Sequence, residues 1–161
     1  MVNAPFIFDS LNESDTDRLG RALAAALLPG TVVALNGELG SGKTRFVRAV
    51  CEGLGADISR VNSPTFVLMQ FYVDGRIPVV HMDTYRIGDV DEFIATGAEE
   101  YLHDGLSVSF IEWADLISEI LPEDLLRVEI TQTSVTGRQF SFTATGTHSE
   151  MILKNLRSNL C

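Results

Sequence analysis

The chain has 161 residues and a mass of 17.6 kDa, which suits one domain spanning 1–161. Hydrophobic residues make up 45% and charged residues 21%, a soluble globular balance that excludes a disordered, collagen-like or helical membrane-spanning chain. The net charge is −10, and the excess sits in one stretch, since Ile87 to Leu126 holds 11 acids and no Lys or Arg. Such a chain is a poor lone binder of nucleic acid; its acidic stretch suits a basic protein partner, or else is a merely solvated surface.

Residues 1–20 carry neither a positive n-region nor an apolar h-region, so no secretory signal is expected. The expectation is a cytoplasmic protein in which Cys51 and Cys161 are reduced thiols.

Taken in order, Pro5 to Phe8 reads as an edge strand and Ser10 to Leu28 as a helix with Leu19, Leu23, Ala26 and Leu27 on one face, ended by Pro29-Gly30. Thr31 to Asn36 is a β-branched, apolar run and reads as a buried strand. A glycine-rich turn follows, then a helix from Lys43 to Leu54 with Phe46, Val47, Val50 and Leu54 on one side. Pro64–Val73 and Ile77–Asp83 are two strand-like runs around an Asp-Gly turn. Asp89 to Leu102 reads as one or two short helices broken near Gly97, Ser107 to Glu112 as a buried strand, and Trp113 to Leu121 as a short helix stopped by Pro122. Leu125–Thr133 and Gln139–Thr145 form a second hairpin, and Thr147 to Leu160 a closing helix. The mixture predicts an α/β fold: a three-layer, P-loop NTPase-like domain with a mostly parallel central sheet and antiparallel hairpin strands.

Gly37-Glu38-Leu39-Gly40-Ser41-Gly42-Lys43-Thr44 matches G-x-x-x-x-G-K-[ST], between a predicted buried strand and a predicted amphipathic helix. Glycines let successive N–H groups converge on phosphate oxygens, and the positive end of the following helix adds to that field. In this pattern Lys43 reaches the β- and γ-phosphates and Thr44 places its hydroxyl on Mg²⁺, with Arg45 next in line as a nucleotide contact.

Two predicted strands end in an acid, Asp83 and Glu112. Either can hold Mg²⁺ or its waters, and either can orient an attacking water, or each can be a strand-end carboxylate in a surface pair. Thr65, in Ser63-Pro64-Thr65, is placed to sense a γ-phosphate or simply starts a strand after a proline. Arg86 suits transferring phosphate or a structural ion pair. His81 is read as a packing or backbone-bonded residue rather than a catalytic one. Trp113, the single tryptophan, packs on a ligand or partner, or in the core. There is no N-K-x-D guanine signature and no D-x-x-G after the loop, so ATP is expected over GTP.

The order GELGSGKT, SPTF (Ser63–Phe66), HMDTYR (His81–Arg86) and Glu112-Trp113 resembles the TsaE (YjeE) family of small bacterial P-loop ATPases of tRNA threonylcarbamoyladenosine (t6A) synthesis. The resemblance runs from about Ser14 to about Arg138, and SPTF and H-x-D-x-Y-R are far more specific than the P-loop. It implies binding of ATP and Mg²⁺, weak hydrolysis alone, and work beside the TsaB–TsaD pair. In that pair TsaD, not this chain, transfers the threonylcarbamoyl group to adenosine 37 of tRNAs reading ANN codons. Hydrolysis is implied to reset that complex between turnovers, and tRNA is reached only through the complex, with no membrane; the acidic 87–126 stretch adds the expectation that docking on a basic partner face speeds hydrolysis. The resemblance also implies that Thr65 is switch-like, that Asp83 and Glu112 serve Mg²⁺ and hydrolysis, and that Thr16 and Arg138 border the nucleotide. Ala114 replaces a common family proline, while Asp115 keeps the acid beyond it. Two other readings stay open: a small-molecule kinase in which Asp83 orients an acceptor hydroxyl, and an ATP-sensing binding module with negligible turnover.

Overall fold

The computed structural model describes residues 4–60 and 69–161. The predicted Ser63–Phe66 segment, with Thr65, lies outside the described residues.

Five consecutive buried residues, Val32–Asn36, form β2, the strand that places the glycine-rich turn. Parallel strands flank it on both sides: β5 (Val108–Glu112) and β6 (Leu126–Gln132). A fourth, β4 (Val79–Asp83), runs parallel beyond β5. Antiparallel strands close both edges, β7 (Arg138–Ala144) and β1 (Phe6–Ser10) beyond β6, and β3 (Met69–Tyr72) beyond β4. The order is β1-β7-β6-β2-β5-β4-β3, an α/β fold with a parallel core and the two expected hairpins at its margins.

β2, β4 and β5 are buried along their whole length because both faces are covered, which is why they read as apolar runs rather than alternating ones. Val33, Leu35, Phe110 and Val128 join a core with α1 (Glu13–Ala26), α2 (Lys43–Gly53) and α4 (Thr147–Leu160). Val32, Ala34, Met82 and Ile111 join a second core with α3 (Val90–Ala95) and two short 3-10 helices, Ala98–Leu102 and Ala114–Ile120. The base-free acidic stretch 87–126 therefore supplies the whole of that second helical layer. Among the described residues no helix is long and apolar enough to cross a membrane.

Most element ends shift by one or a few residues from the sequence reading, and two differences bear on the site. α1 starts at Glu13 rather than Ser10, because Ser10 still pairs in β1 and Asn12 caps the helix by accepting from Asp15 N at 3.0 Å. The segment after β5 is a 3-10 helix, not an α-helix: Trp113 enters it in a left-handed conformation (φ 60°) and Ile117 interrupts it with φ −120°.

Candidate active site

The carboxyl ends of β2, β4 and β5 meet at one edge of the sheet, where ligands bind in open α/β sheets. The register sets Asp83 of β4 directly opposite Glu112 of β5, and Leu35 of β2 opposite Glu112 on the other side. β2 then runs into the loop 37–42 and α2.

Gly42 is the last residue before α2, at φ 106°, a conformation that side-chain-bearing residues rarely adopt. Among the described residues no side chain caps this helix start, so its first N–H groups are open to an anion. Ser41 is buried, and its Oγ has no hydrogen-bond partner among the described residues. Arg138 of β7 straps the loop, donating from Nε to Ser41 O at 2.9 Å.

Lys43 is only 5% exposed. Its Nζ donates to Gly37 O (2.6 Å) and Glu38 O (3.0 Å), and lies 4.2 Å from the centre of the Trp113 ring. Burial pushes its pKa down from the ordinary lysine value, while Glu112 and Asp83 push it back up. Thr44 Oγ1 donates to Glu112 Oε2 at 3.0 Å and to Oε1 at 3.3 Å. Asp83, as buried as Glu112, accepts from Tyr85 N at 2.8 Å. Lys43, Thr44, Asp83, Arg86, Glu112 and Trp113 line one cleft of about 560 Å³.

His81 is fully buried, as the packing reading expects, and among the described residues its side chain bonds to Glu112 rather than to backbone: Nε2 lies 2.5 Å from Glu112 Oε2. The signal was available in the strand period, because Val79, His81 and Asp83 share one face of β4. Thr84 and Tyr85, also missed, hold the neighbouring turn. Thr84 Oγ1 donates to the carbonyls of Glu112 (3.2 Å) and Trp113 (2.5 Å), and the Tyr85 ring sits 5.0 Å from that of Trp113. Trp113 is half-buried and edges the cleft rather than the core.

A second cleft of about 570 Å³ opens on the other side of Gly42, lined by Asn12, Thr16, Arg45, Thr136, Arg138 and Phe140. Thr16 Oγ1 shares a 2.7 Å hydrogen bond with Ser10 Oγ. Arg45 faces this cleft, but one of its guanidinium nitrogens, Nη2, is held by Asp17 Oδ1 at 2.7 Å. Glu38, Leu39 and Gly40 form the exposed tip of the loop.

The donor set fits a magnesium ion. A threonine hydroxyl and one or two carboxylates are the hard oxygen ligands that Mg²⁺ takes beside substrate phosphates and water. Cys51 has no part here: it is buried, and burial, aided by Asp74, pushes its thiol up to about 12.

Comparison with known proteins follows the same lines. The profile of the family "Threonylcarbamoyl adenosine biosynthesis protein TsaE" matches residues 10–140. The chain is 42% identical over 148 residues to the tRNA threonylcarbamoyladenosine biosynthesis protein TsaE of Bacillus subtilis, covering 91% of this chain and 90% of the relative. It is 44% identical over 116 residues to the TsaE of Streptomyces coelicolor, covering 70% and 76%. The crystal structure of Bacillus subtilis YdiB superposes with a TM-score of 0.81 at 34% identity, covering 100% of this chain and 99% of that one. The chain belongs to the TsaE family of threonylcarbamoyl adenosine biosynthesis proteins.

Proposed function

We propose that this chain is a Mg²⁺-dependent ATPase, weak alone and activated by a protein partner, that serves t6A formation at adenosine 37 of tRNAs reading ANN codons. The observation that carries the reading is the convergence of Lys43, Thr44, Asp83 and Glu112 on one cleft at the open head of α2.

The N–H groups of 40–44 cradle the β- and γ-phosphates. Lys43 releases Gly37 O and Glu38 O and turns its ammonium onto phosphate oxygen, replacing two neutral acceptors with charged ones. Thr44, whose hydroxyl donates to Glu112, would hold the metal, with Asp83 or Glu112 as the second handle. Mg²⁺, when bound, neutralises charge on the β- and γ-oxygens. Thr16, Arg45 and Arg138 border the rest of the nucleotide in the second cleft. Thr65 is proposed as the γ-phosphate sensor. The acid not bound to metal orients a water in line with the γ-phosphorus. The new P–O bond forms as the β–γ bridge breaks, leaving ADP and inorganic phosphate.

The partner we propose is the TsaB–TsaD pair, with tRNA reached only through it, in the cytoplasm and away from membranes. A wholly acidic helical layer beside the site supports a partner with a basic face. Asp104 is engaged in its own turn, accepting from Leu106 N and Ser107 N, so Glu99 and Glu100 are the acids to reverse in a pull-down. Retained capture by those reversals at every salt concentration counts against this docking face.

The test of the chemistry is phosphate release from Mg-ATP by Asp83→Asn and Glu112→Gln. Each is expected to fall by about 100-fold while ADP binding stays within a few-fold. Unchanged rates contradict the reading. Transfer of phosphate to an added hydroxyl compound, in place of release, assigns the kinase instead.

A further inference from the structure

Among the described residues two side chains, and no backbone donor, hold the Glu112 carboxylate. Thr44 Oγ1 reaches both carboxyl oxygens, and His81 Nε2 reaches Oε2 alone. His81 is 0% exposed, and its Nδ1 has no hydrogen-bond partner among the described residues. A fully buried imidazole bonded on one side only costs stability relative to an apolar side chain of the same shape, so its single bond needs a use.

The sheet explains how the bond arises. β4 puts His81 and Asp83 on one face, and the β4–β5 register sets Asp83 level with Glu112. The imidazole therefore lies one pleat behind Asp83, against Oε2 of Glu112. Thr44 approaches the same carboxyl from α2, at the cleft.

We propose that His81 is a positioning residue for Glu112. Its Nε2–H pins Oε2, so that the carboxyl keeps its orientation when the Thr44 hydroxyl is engaged by the nucleotide. The inference rests on Glu112 serving hydrolysis, as proposed above. Thr44 is a bond that ligand binding removes, and His81 is the bond that remains. Without it the carboxyl keeps its place on β5 but loses its orientation. The phosphates are still held by the loop and by Lys43, so the defect appears in turnover and in metal dependence rather than in nucleotide affinity.

The experiment compares full-length wild type with His81→Leu, which cannot donate, and His81→Gln, whose amide can donate to a carboxylate. Glu112→Gln and the double variant His81→Leu/Glu112→Gln complete a cycle. Phosphate release gives kcat and KM for Mg-ATP, and calorimetry gives ADP affinity with and without Mg²⁺. In His81→Leu, kcat is expected to fall about tenfold with KM within about threefold, the usual size of an effect transmitted through a ligand's hydrogen-bond partner. The gain in ADP affinity from Mg²⁺ is expected to shrink in parallel, and metal-free ADP affinity to hold. His81→Gln is expected to recover most of both, and His81→Leu to add nothing in the Glu112→Gln background. A wild-type His81→Leu beside an inactive Glu112→Gln overturns the inference and leaves the ATPase reading standing. A fully active Glu112→Gln overturns that reading itself. Equal loss in His81→Leu and His81→Gln marks a packing role and also overturns the inference. If His81→Leu does not fold, His81→Gln decides alone: near-wild-type turnover and metal dependence support positioning, and loss of both contradicts it.

Discussion

The sheet carries an acid with a histidine at each end, and the two are built differently. At the amino end of β6, Asp124 accepts from the backbone N–H groups of His148 (2.8 Å) and Ser149 (3.0 Å) at the head of α4, and His148 Nε2 meets Thr31 Oγ1 at 2.9 Å. Burial pushes the Asp124 carboxyl up, but the hydrogen bonds from Ser149 and His148 outweigh it and hold it below the ordinary carboxylate range. At the carboxyl end, Glu112 is held by Thr44 and His81, and Lys43 leans on loop carbonyls. The Thr44 and Lys43 bonds can be exchanged for a ligand while the His81 bond stays, and among the described residues Ser41 Oγ and His81 Nδ1 have no partners. Backbone donors make a fixed staple of α4 to β6. Side-chain donors make a site in which the Thr44 and Lys43 bonds are provisional. The difference lies in where the donors come from, not in residue type.

This contrast can be broken from either end. The largest expected effect is Lys43→Ala, which should lower phosphate release by at least about 100-fold. Its melting temperature should not drop, because the buried amine is already penalised by desolvation. A large loss of melting temperature would mean that Lys43 is part of the staple class after all. Gly146→Ala probes the other end: a Cβ there falls 2.4 Å from Asp124 Cγ, so the cap must move. Thermal unfolding should show a loss of about 1–3 kcal/mol, with turnover per folded molecule unchanged. Asp124→Ala removes the same cap and should cost about 1 kcal/mol, less than additively with Gly146→Ala. The folded carboxyl titrates below its unfolded value, so its stabilisation is present at neutral pH and is lost as pH falls through the acidic carboxylate range. The stability gap between wild type and Asp124→Ala should therefore close in acid, and a gap that widens there refutes the assignment. The smallest effect is expected from Trp113→Gly. Relief of the left-handed backbone, about 1 kcal/mol, offsets the lost contacts to Tyr85 and Lys43, so stability should move by no more than about 1 kcal/mol.

Much of this was legible before the fold was in view. The P-loop, the strand ends at Asp83 and Glu112, the break at Gly97 and the closing helix Thr147–Leu160 follow from period, turn chemistry and motif. What escaped depends on register. That Asp83 stands level with Glu112, and that His81 therefore reaches it, is a property of strand pairing between segments about thirty residues apart. The left-handed Trp113 escaped because a non-glycine residue at positive φ is held by tertiary bonds, here its N–H to Leu35 O and its carbonyl to Thr84. The hold of Asp17 on Arg45 escaped for the same reason, since α1 and α2 meet only in the fold.

The most direct test of the central claim is steady-state phosphate release from Mg-ATP, measured for the chain alone and with the TsaB–TsaD pair. A slow rate alone, raised by the pair by an order of magnitude or more and absent in Lys43→Ala, is the expected result. A rate that ignores the pair, or that survives Lys43→Ala, contradicts the account.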